Sequence, residues 1–291
     1  MSEETAKTRL QEHEIEIKAP IEAVWKALTD AQELTCWFVD DAKVAPGEGG
    51  TMWLAWGEGE SKMEGKARID VWEPGKRLKL TLVGADQSGG LPFAQLEVPI
   101  VEEWTLQSRG DVTVLKLVHS NIPNSPDWDA YYDGTDSGWR AYFLALRHYL
   151  QYCPRKKRDV VLFMRPLAVS FPDAWKALTG TEGLAATGTI DGLQRGSRYS
   201  TVTALGDRLE GEIVESIPPK ILMLTVDGLD QALLLATFEE MGGMSFVYLT
   251  LAIFGRPPAE VEQIRSRWIK WLGELLPAAE APLSPDIKPL C

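Results

Sequence analysis

The pentapeptide Trp-Lys-Ala-Leu-Thr occurs twice in this chain, at residues 25–29 and 175–179. The two copies begin 150 residues apart in a chain of 291 residues. Strand-like segments and one amphipathic helix follow each copy in the same order. An internal repeat of this kind predicts two copies of one structural unit. The chain length agrees with two domains of about 150 residues each.

The segments that flank the two pentapeptides also correspond. A strand-like segment precedes each copy, and a bend that contains glycine follows it. The matched pairs are the strands 13–17 and 160–164, the motifs Met63–Gly65 and Leu209–Gly211, the strands 78–82 and 222–226, the late strands 112–118 and 246–254, and the closing helices 138–150 and 258–276. This shared order predicts a duplication.

The boundary between the halves is marked by Pro154, because a proline cannot continue a helix. The basic run Arg155–Arg158 follows it and is interpreted as a solvated linker. We predict a first domain over residues 10–153 and a second domain over residues 159–276. Residues 277–291 are rich in Pro and Ala, and we expect them to lie on the surface or to be disordered.

Each half has the pattern of an α+β domain in which a closing helix covers one side of an antiparallel sheet. Apolar and polar residues alternate along the strands, as in a sheet with one buried and one solvated face. In the first closing helix, Trp139, Phe143, Leu146 and Leu150 recur at helical spacing. A curved sheet around a long helix leaves a cavity when side chains do not fill it. The predicted strands of the first half are 51–56, 65–72, 77–83, 101–107 and 112–119, with a long insert at 84–100.

The first half also carries a series of motifs in a fixed order. They are Ala19–Asp30, Trp37-Phe38, Gly49–Thr51, Glu64-Gly65, Trp72–Pro74, Leu115–Pro123 and Gly138-Trp139. Through them, residues 10–152 resemble the family of activators of the heat-shock protein 90 ATPase, within the SRPBCC (START-like) superfamily. The resemblance implies two tandem helix-grip domains, each a curved antiparallel sheet wrapped around a long C-terminal helix. The second half lacks the His-x-x-x-Pro segment and the Gly-Trp pair, so it resembles a diverged copy.

Charge and motif content argue against several classes of function. The formal net charge of −12 opposes binding to nucleic acid, which needs a cationic surface. Gly47–Gly50 lacks the Lys and Ser/Thr that end a phosphate-binding loop, and no Gly-x-Ser-x-Gly elbow occurs. The three His lie on separate predicted elements, so we expect neither a metal site nor a cofactor.

Three further features bear on the compartment. The three Cys show no disulfide or metal-binding spacing, which is typical of reduced thiols in a cytoplasmic protein. The N-terminal residues lack the apolar core of a signal peptide. The most apolar stretch, 246–254, is too short to cross a bilayer. We therefore expect a soluble, cytoplasmic protein that does not insert into a membrane.

The candidate ligand site lies between the closing helix and the apolar face of the first sheet. His119 is in phase with Leu115 and Leu117, so we expect it on the face that lines the cavity. It is either a hydrogen-bonded core histidine that holds the loop at Pro123, or a polar anchor or acid/base in an apolar pocket. The predicted ligand-binding residues are Trp37, Trp56, Trp104, His119, Trp128, Tyr131, Trp139 and Phe143.

Two assignments in this region stay open. Sequence alternation does not decide whether Trp53 or Trp56 faces the cavity. The aromatic segment 128–132 before the closing helix either packs on the helix or forms the rim of the cavity. Glu102 and Glu103 point to opposite faces of a strand and cannot share a pocket, so we expect both to be solvated.

Three functions are compatible with these patterns, and we prefer the first. A helix-grip cavity with aromatic walls would bind a small hydrophobic or aromatic ligand. The family resemblance implies, as an alternative, a co-chaperone that stimulates the heat-shock protein 90 ATPase, although a fold alone does not carry a function. The wider superfamily implies a second alternative, a polyketide-cyclase-like enzyme with His119 as proton donor. No residue pair identifies itself as catalytic, so binding without catalysis is the main expectation.

Overall fold

A computed structural model describes residues 8–57, 62–84, 96–241 and 244–279. The chain forms two compact units, of which the first ends at Arg155 and the second begins at Lys156. Each unit contains one antiparallel sheet and ends with a long helix. This is the α+β architecture of two tandem helix-grip domains that the sequence predicts. The domain bounds 10–153 and 159–276 stay a prediction.

In the described residues, the first unit contains seven strands and three α-helices. The strands are β1 (Thr8–Ile17), β2 (Asp41–Ala45), β3 (Thr51–Trp56), β4 (Met63–Glu73), β5 (Arg77–Gly84), β6 (Val101–Arg109) and β7 (Val112–Pro123), and the helices are α1 (Ile21–Thr29), α2 (Ala31–Trp37) and α3 (Asp129–Tyr152). The sheet order is β1-β7-β6-β5-β4-β3-β2. The predicted strands are confirmed, and β2 adds an edge strand that the sequence pattern did not indicate.

Alternation along the strands determines which side chains of the first sheet face α3. Leu78 and Leu80 of β5 are buried, whereas Lys79 between them is partly exposed. Trp104 of β6 is buried as well, and its ring centroid lies 5.3 Å from that of Trp139 on α3. The sheet therefore has one face packed on the helix, which we call the inner face, and one outer face.

Helix α3 begins nine residues before the predicted start at Gly138. Residues 129–138 contain two Gly, three Asp and one Ser, whose low helix propensity favours a loop. Tertiary contacts override that preference, because Tyr131 is buried and the Gln11 side chain of β1 bonds to Thr135 of the helix at 3.1 Å. The aromatic segment 128–132 thus lies in the first turn of α3 and in the 3-10 turn before it.

The described part of the second unit has the same order of elements with one strand and one α-helix fewer. Its strands are β8 (Arg158–Pro166), β9 (Arg198–Val202), β10 (Arg208–Ile217), β11 (Ile221–Val226), β12 (Ala232–Met241) and β13 (Met244–Phe254), and its helices are α4 (Phe171–Thr179) and α5 (Pro258–Leu275). The sheet order is β8-β13-β12-β11-β10-β9. Strands β8, β13, β12 and β11 therefore correspond in position to β1, β7, β6 and β5 of the first unit.

The two copies of the pentapeptide form the same local structure. They end α1 and α4, and in each copy the Thr side chain donates to the backbone carbonyl of the Trp four residues earlier. The distances are 2.7 Å from Thr29 to Trp25 and 2.8 Å from Thr179 to Trp175. Both Thr residues are buried. The repeat in sequence is thus a repeat in structure.

Two predicted segments lie largely outside the described residues. The insert at 84–100 is described only at its ends, where β5 ends at Gly84 and a short stretch precedes β6. The tail 277–291 is described only to residue 279. There, Pro277 accepts a backbone hydrogen bond from Ala168, so the first residues of the tail pair with the end of β8.

Candidate functional site

A row of polar side chains crosses the inner face of the first sheet. Gln11 of β1 lies opposite His119 of β7, His119 lies opposite Glu102 of β6, and Glu102 lies opposite Leu80 of β5. Residues that are opposite each other in a sheet point to the same face. The four neighbouring strands thus bring an amide, an imidazole and a carboxyl together in front of α3. We call Gln11, His119 and Glu102 the polar row.

His119 is hydrogen-bonded to helix α3 through both ring nitrogens. The indole N–H of Trp139 donates to Nδ1 at 3.1 Å, and the Tyr131 hydroxyl lies 3.2 Å from Nε2. An indole can only donate, so Nδ1 accepts and the proton of the neutral ring is on Nε2. The Nε2–H group therefore donates to the Tyr131 oxygen. His119 is 1% exposed, so these partners replace water completely.

Burial lowers the pKa of His119 to about 3, and the neighbouring His13 lowers it further in the same direction. A buried imidazole resists protonation because the cation would lose its hydration. His119 is therefore neutral over the whole physiological pH range. Of the two sequence interpretations, the hydrogen-bonded core histidine fits this geometry, and a role as general acid does not.

Glu102 is the group of the polar row that titrates near neutrality. Burial raises the pKa of its carboxyl to about 7, and a hydrogen bond from Trp104 opposes the shift in part. The same carboxylate contributes to raising the pKa of Tyr131, after the larger effect of burial. The residue as a whole, including its aliphatic stem and backbone, is only partly buried.

The expectation that Glu102 and Glu103 are both solvated is wrong for Glu102. The two side chains do point to opposite faces, as a strand requires. Glu103 lies on the outer face, where Arg77 donates to its carboxylate at 2.9 Å. Glu102 instead lies beside His119 on the inner face. The alternation of faces along the strand predicted that Glu102 and Glu103 lie on opposite faces, but it could not show which carboxyl would be desolvated.

Phe38 is the centre of an aromatic cluster that the sequence prediction did not include. Its ring is stacked on Trp37, with centroids 4.9 Å apart, and meets Trp56 edge-on at 5.4 Å. It also contacts two rings of α3, Trp139 at 5.9 Å and Tyr142 at 4.6 Å. Its position next to Trp37 in the family-like motif was the signal that could have identified it.

A second group of rings lies between β6 and α3. Trp104 meets Trp139 edge-on and is stacked on Phe143, with centroids 5.8 Å apart. Trp104, Trp139 and Phe143 are all nearly buried. Because Trp139 belongs to both groups and also donates to His119, it joins the aromatic rings to the polar row.

Trp56 and Trp53 lie on opposite faces of β3. Trp56 faces the helix, and its indole N–H is buried without a hydrogen-bond partner in the described structure. Trp53 faces outward, where Lys43 and Lys62 each place an ammonium 4.7 Å from its ring and Glu64 accepts from its N–H. The open question of which Trp faces the helix is thus answered for Trp56.

Trp128 and Tyr131 form a smaller cluster beside the polar row. They pack on Ile100 and Ile122, both fully buried, and their ring centroids are 5.5 Å apart. Tyr131 links this cluster to His119, whose ring centroid is 5.9 Å away. The eight predicted residues therefore belong to one connected set of contacts, although their role in binding a ligand stays a prediction.

Strand β1 contributes polar residues that sequence reasoning missed. Gln11 bonds to Thr135, and His13 places Nε2 3.3 Å from the Asp136 carboxylate, both on α3. Burial lowers the pKa of His13, and the Asp136 carboxylate opposes that shift. The shared parity of Gln11, His13 and Ile15 along the strand was the available signal.

Comparison with known proteins finds a family to which the first unit is similar. Residues 18–151 match the model of the protein family described as activator of Hsp90 ATPase homolog 1-like protein. The first unit is thus similar to the domains of this family. The second unit repeats its architecture with a different core. A search of curated proteins found no match to this chain.

The solved structures to which the chain is similar match either about half of it or nearly all of it. The chain is similar to the Aha1 dimer from Colwellia psychrerythraea, with 21% identity, a TM-score of 0.41, and coverage of 49% of this chain and 96% of that chain. It is also similar to the di-domain ARO/CYC BexL of the BE-7585A biosynthetic pathway, with 14% identity, a TM-score of 0.43, and coverage of 94% and 99%. For DynU16, from the dynemicin biosynthetic locus, the identity is 16%, the TM-score 0.38, and the coverage 91% and 96%. Similarity at this level says nothing about the ligand or reaction of this chain.

Three further observations on the described residues concern metal sites, membrane-spanning helices and disulfide bonds. They contain no cluster of His, Cys, Asp and Glu that could hold a metal ion. Within the same ranges, no helix is long and apolar enough to cross a membrane. Among the described residues, neither Cys36 nor Cys153 forms a disulfide bond.

Proposed function

We propose that the first unit binds a small hydrophobic or aromatic ligand between the inner face of its sheet and α3. The aromatic clusters around Phe38 and Trp104 supply apolar contact surface, and the polar row supplies a small number of oriented polar groups. Sites for small organic ligands usually have this composition. The cytoplasmic location expected from the sequence belongs to the same proposal.

The observation that carries this proposal is the desolvated polar row on an otherwise apolar face. Burial of a polar group costs free energy unless every donor and acceptor finds a partner. The corresponding positions of the second unit are aliphatic, so the fold does not need polar groups there. Departures from consistent core packing are expected at functional sites.

Trp56 gives independent support. Its buried indole N–H has no partner among the described residues, although nearly all buried donors in proteins are satisfied. A carbonyl or hydroxyl oxygen of a bound ligand would satisfy it. The unsatisfied donor lies against Phe38, at the opposite end of the aromatic cluster from His119.

The two alternatives receive different support. The co-chaperone function has the description of the matched family in its favour, and no contact in the first unit bears on it. The enzymatic alternative with His119 as proton donor is disfavoured, because the pKa of His119 is lowered to about 3 and its Nδ1 is occupied by Trp139. A ligand that remains bound without conversion distinguishes binding from both.

Mass spectrometry of the purified protein, under native and then denaturing conditions, tests the proposal. We expect a stoichiometric small molecule that is retained by Trp53→Ala and lost by Trp104→Ala. Trp53 is the matched control because it lies on the outer face of the same sheet. Trp104→Phe, a milder change in the core, should reduce the bound fraction if Trp104→Ala does not fold.

The proposal is contradicted by a clean ligand-free mass combined with no thermal shift across a library of lipids and aromatic compounds. Loss of a bound molecule in Trp53→Ala with retention in Trp104→Ala would also contradict it, because the site would then lie on the outer face.

A further inference from the structure

We propose that the ligand of the first unit is a hydrophobic amine, held as a cation by the Glu102 carboxylate and the faces of the surrounding aromatic rings. The inference rests on the proposed binding function and specifies the chemical class of the ligand. It is carried by three observations: the position of Glu102, its lack of a protein counter-ion, and the aromatic rings beside it.

Glu102 projects from the middle of the sheet toward the helix. Its neighbours in register are His119 on one side and Leu80 on the other, and Trp104 lies two residues along the same strand and the same face. Trp104 donates a hydrogen bond to the carboxylate. A carboxylate has about four acceptor positions, so this single donor leaves most of its capacity for a ligand.

No cation of the described structure neutralises Glu102. The nearby arginine of the same sheet, Arg77, is paired with Glu103 on the outer face. Arg9 and Arg140, near the start of β1 and on α3, are paired with Asp129 and Asp136. Burial and the hydrogen bond from Trp104 are the influences on the Glu102 pKa. A desolvated carboxyl without a counter-ion tends to keep its proton, and a cation bound beside it would stabilise the ionised form instead.

The other groups that face Glu102 cannot supply that positive charge. His119 stays neutral, as its lowered pKa and its bond from Trp139 require. Tyr131 on α3 is a phenol whose pKa is raised by burial, so it also stays neutral. His13, further along β1, has a lowered pKa and faces Asp136. These three groups therefore carry no positive charge at neutral pH.

The aromatic rings around Glu102 favour the same charge. Trp104 is hydrogen-bonded to the carboxylate, and the rings of Trp139 and Tyr131 contact His119 beside it. The rings of Trp104 and Trp139 also contact each other. The faces of aromatic rings carry negative potential and attract ammonium groups, most strongly when water is excluded. A cation with a hydrophobic body would thus satisfy the carboxylate and the rings together, whereas an anion would meet repulsion from both.

Binding of matched ligand series to the full chain tests this inference. Each series has one ring system (phenyl, indol-3-yl or 2-naphthyl) on a two-carbon chain that ends in an amine, a hydroxyl, or a carboxylate. Calorimetry or fluorescence of the Trp residues gives the affinity. We expect the amine to bind about tenfold or more tighter than the carboxylate, because a charge-assisted hydrogen bond is replaced by repulsion.

The matched variants are Glu102→Gln and Glu103→Gln, adjacent on β6 but on opposite faces. Glu102→Gln should abolish the preference for the amine and leave the affinity for the alcohol nearly unchanged. Glu103→Gln should leave the preference intact. Amine affinity should also increase as the pH rises from 6 to 8, because the carboxylate ionises in that range.

Two results would overturn the inference while leaving the binding function standing. One is equal affinity for the amine, alcohol and carboxylate of a ring system that binds. The other is an amine preference that survives in Glu102→Gln. If no ring system binds with any end group, and the screen of lipids and aromatic compounds is also negative, the proposed function itself fails.

Discussion

The inner faces of the two units differ in polarity along four corresponding strands. In the first unit the row across β1, β7, β6 and β5 reads Gln11, His119, Glu102 and Leu80. In the second unit a row across β8, β13, β12 and β11 reads Val161, Leu251, Leu234 and Leu224, each 0% exposed. One architecture thus carries a polar row in one copy and an aliphatic row in the other.

The fold therefore does not require the polar row, because the second unit has the same architecture without one. The second unit forms one continuous apolar core in which Trp268 and Trp271 of α5 take part. The first unit places three polar side chains where that core has aliphatic ones, and it satisfies His119 with two dedicated partners from α3. We interpret the first unit as the binding copy and the second as the structural copy.

The largest expected effect on stability comes from a substitution that introduces a carboxyl into the aliphatic row of the second unit. Leu234→Glu puts a charge at the position that corresponds to Glu102, in a row without polar partners. We expect a loss of about 5 kcal/mol in the free energy of unfolding, because a buried charge without a partner is strongly destabilising. Denaturant titration followed by circular dichroism measures it.

The control for that change is Leu162→Glu in β8, where the side chain is 46% exposed. It should alter stability by less than about 1 kcal/mol, as surface substitutions usually do. If Leu234→Glu were as mild as the control, the second unit would contain polar or solvated space that its apolar row does not suggest.

Replacing one buried Trp in each closing helix separates an effect on stability from an effect on binding. Trp268→Ala should cost about 3 to 5 kcal/mol, as removal of a buried Trp does, and should leave ligand affinity unchanged. Trp139→Ala should weaken binding in addition to its cost in stability, because Trp139 joins the aromatic rings to His119. Ligand titration of the folded variants decides between these outcomes, and equal effects on binding would remove the functional distinction between the units.

His119 should make the stability of the first unit sensitive to acid, whereas the aliphatic row of the second unit has no such group. Its pKa is about 3 in the folded protein and has an ordinary value of 6.5. Below pH 6.5 the His119 imidazole is protonated in the unfolded chain but stays neutral in the folded protein. The free energy of unfolding therefore decreases as the pH falls from 6.5 toward 3. At pH 5 this loss is about 2 kcal/mol.

His119→Gln should remove that part of the acid sensitivity, measured as the difference in unfolding free energy between pH 7 and pH 5. Tyr131→Phe is the control, because it keeps the imidazole and deletes only its hydroxyl partner. The same acid sensitivity in His119→Gln and in the parent protein would contradict a neutral, buried His119.

Glu102 has the opposite pH dependence and the smallest expected effect. Its pKa rises from an ordinary 4.5 to about 7 in the folded protein. Stability is therefore lost as the pH rises from 4.5 to 7, because the unfolded chain ionises first. Glu102→Gln should stabilise the ligand-free protein by about 1 to 2 kcal/mol at pH 8 and change little at pH 4.5.

Thermal unfolding across this pH range, with Glu103→Gln beside it, measures the effect of Glu102. Glu103 pairs with Arg77 on the outer face, so its replacement should show no such rise with pH. An unchanged or lower stability of Glu102→Gln at pH 8 would mean that the carboxyl is better solvated than its position indicates.

Much of the fold was predictable because it depends on local periodicity. The repeated pentapeptide located both short helices, and alternation located the strands of the first unit. The start of α3 was not predictable, since Gly134 and Gly138 disfavour a helix and the contacts that stabilise one come from β1 and β7. Edge strand β2 was missed because its five residues show no distinctive pattern.

The site was predictable in its residue types and less so in its chemistry. Parity along β7 placed His119 on the inner face, and the spacing of α3 placed Trp139 and Phe143 opposite it. The importance of Glu102 and Gln11 depends on which strands are neighbours. That information comes from the sheet order, which a single sequence does not contain.

Hydrogen exchange with and without ligand tests the division between the units most directly. The ligand is the molecule released from the purified protein or, if none is released, the tightest binder of the matched series. The account predicts slower exchange in peptides from β6, β7 and α3, and unchanged exchange in peptides from β12, β13 and α5. Protection in the second set, or none in the first set when the ligand is bound, would contradict the account.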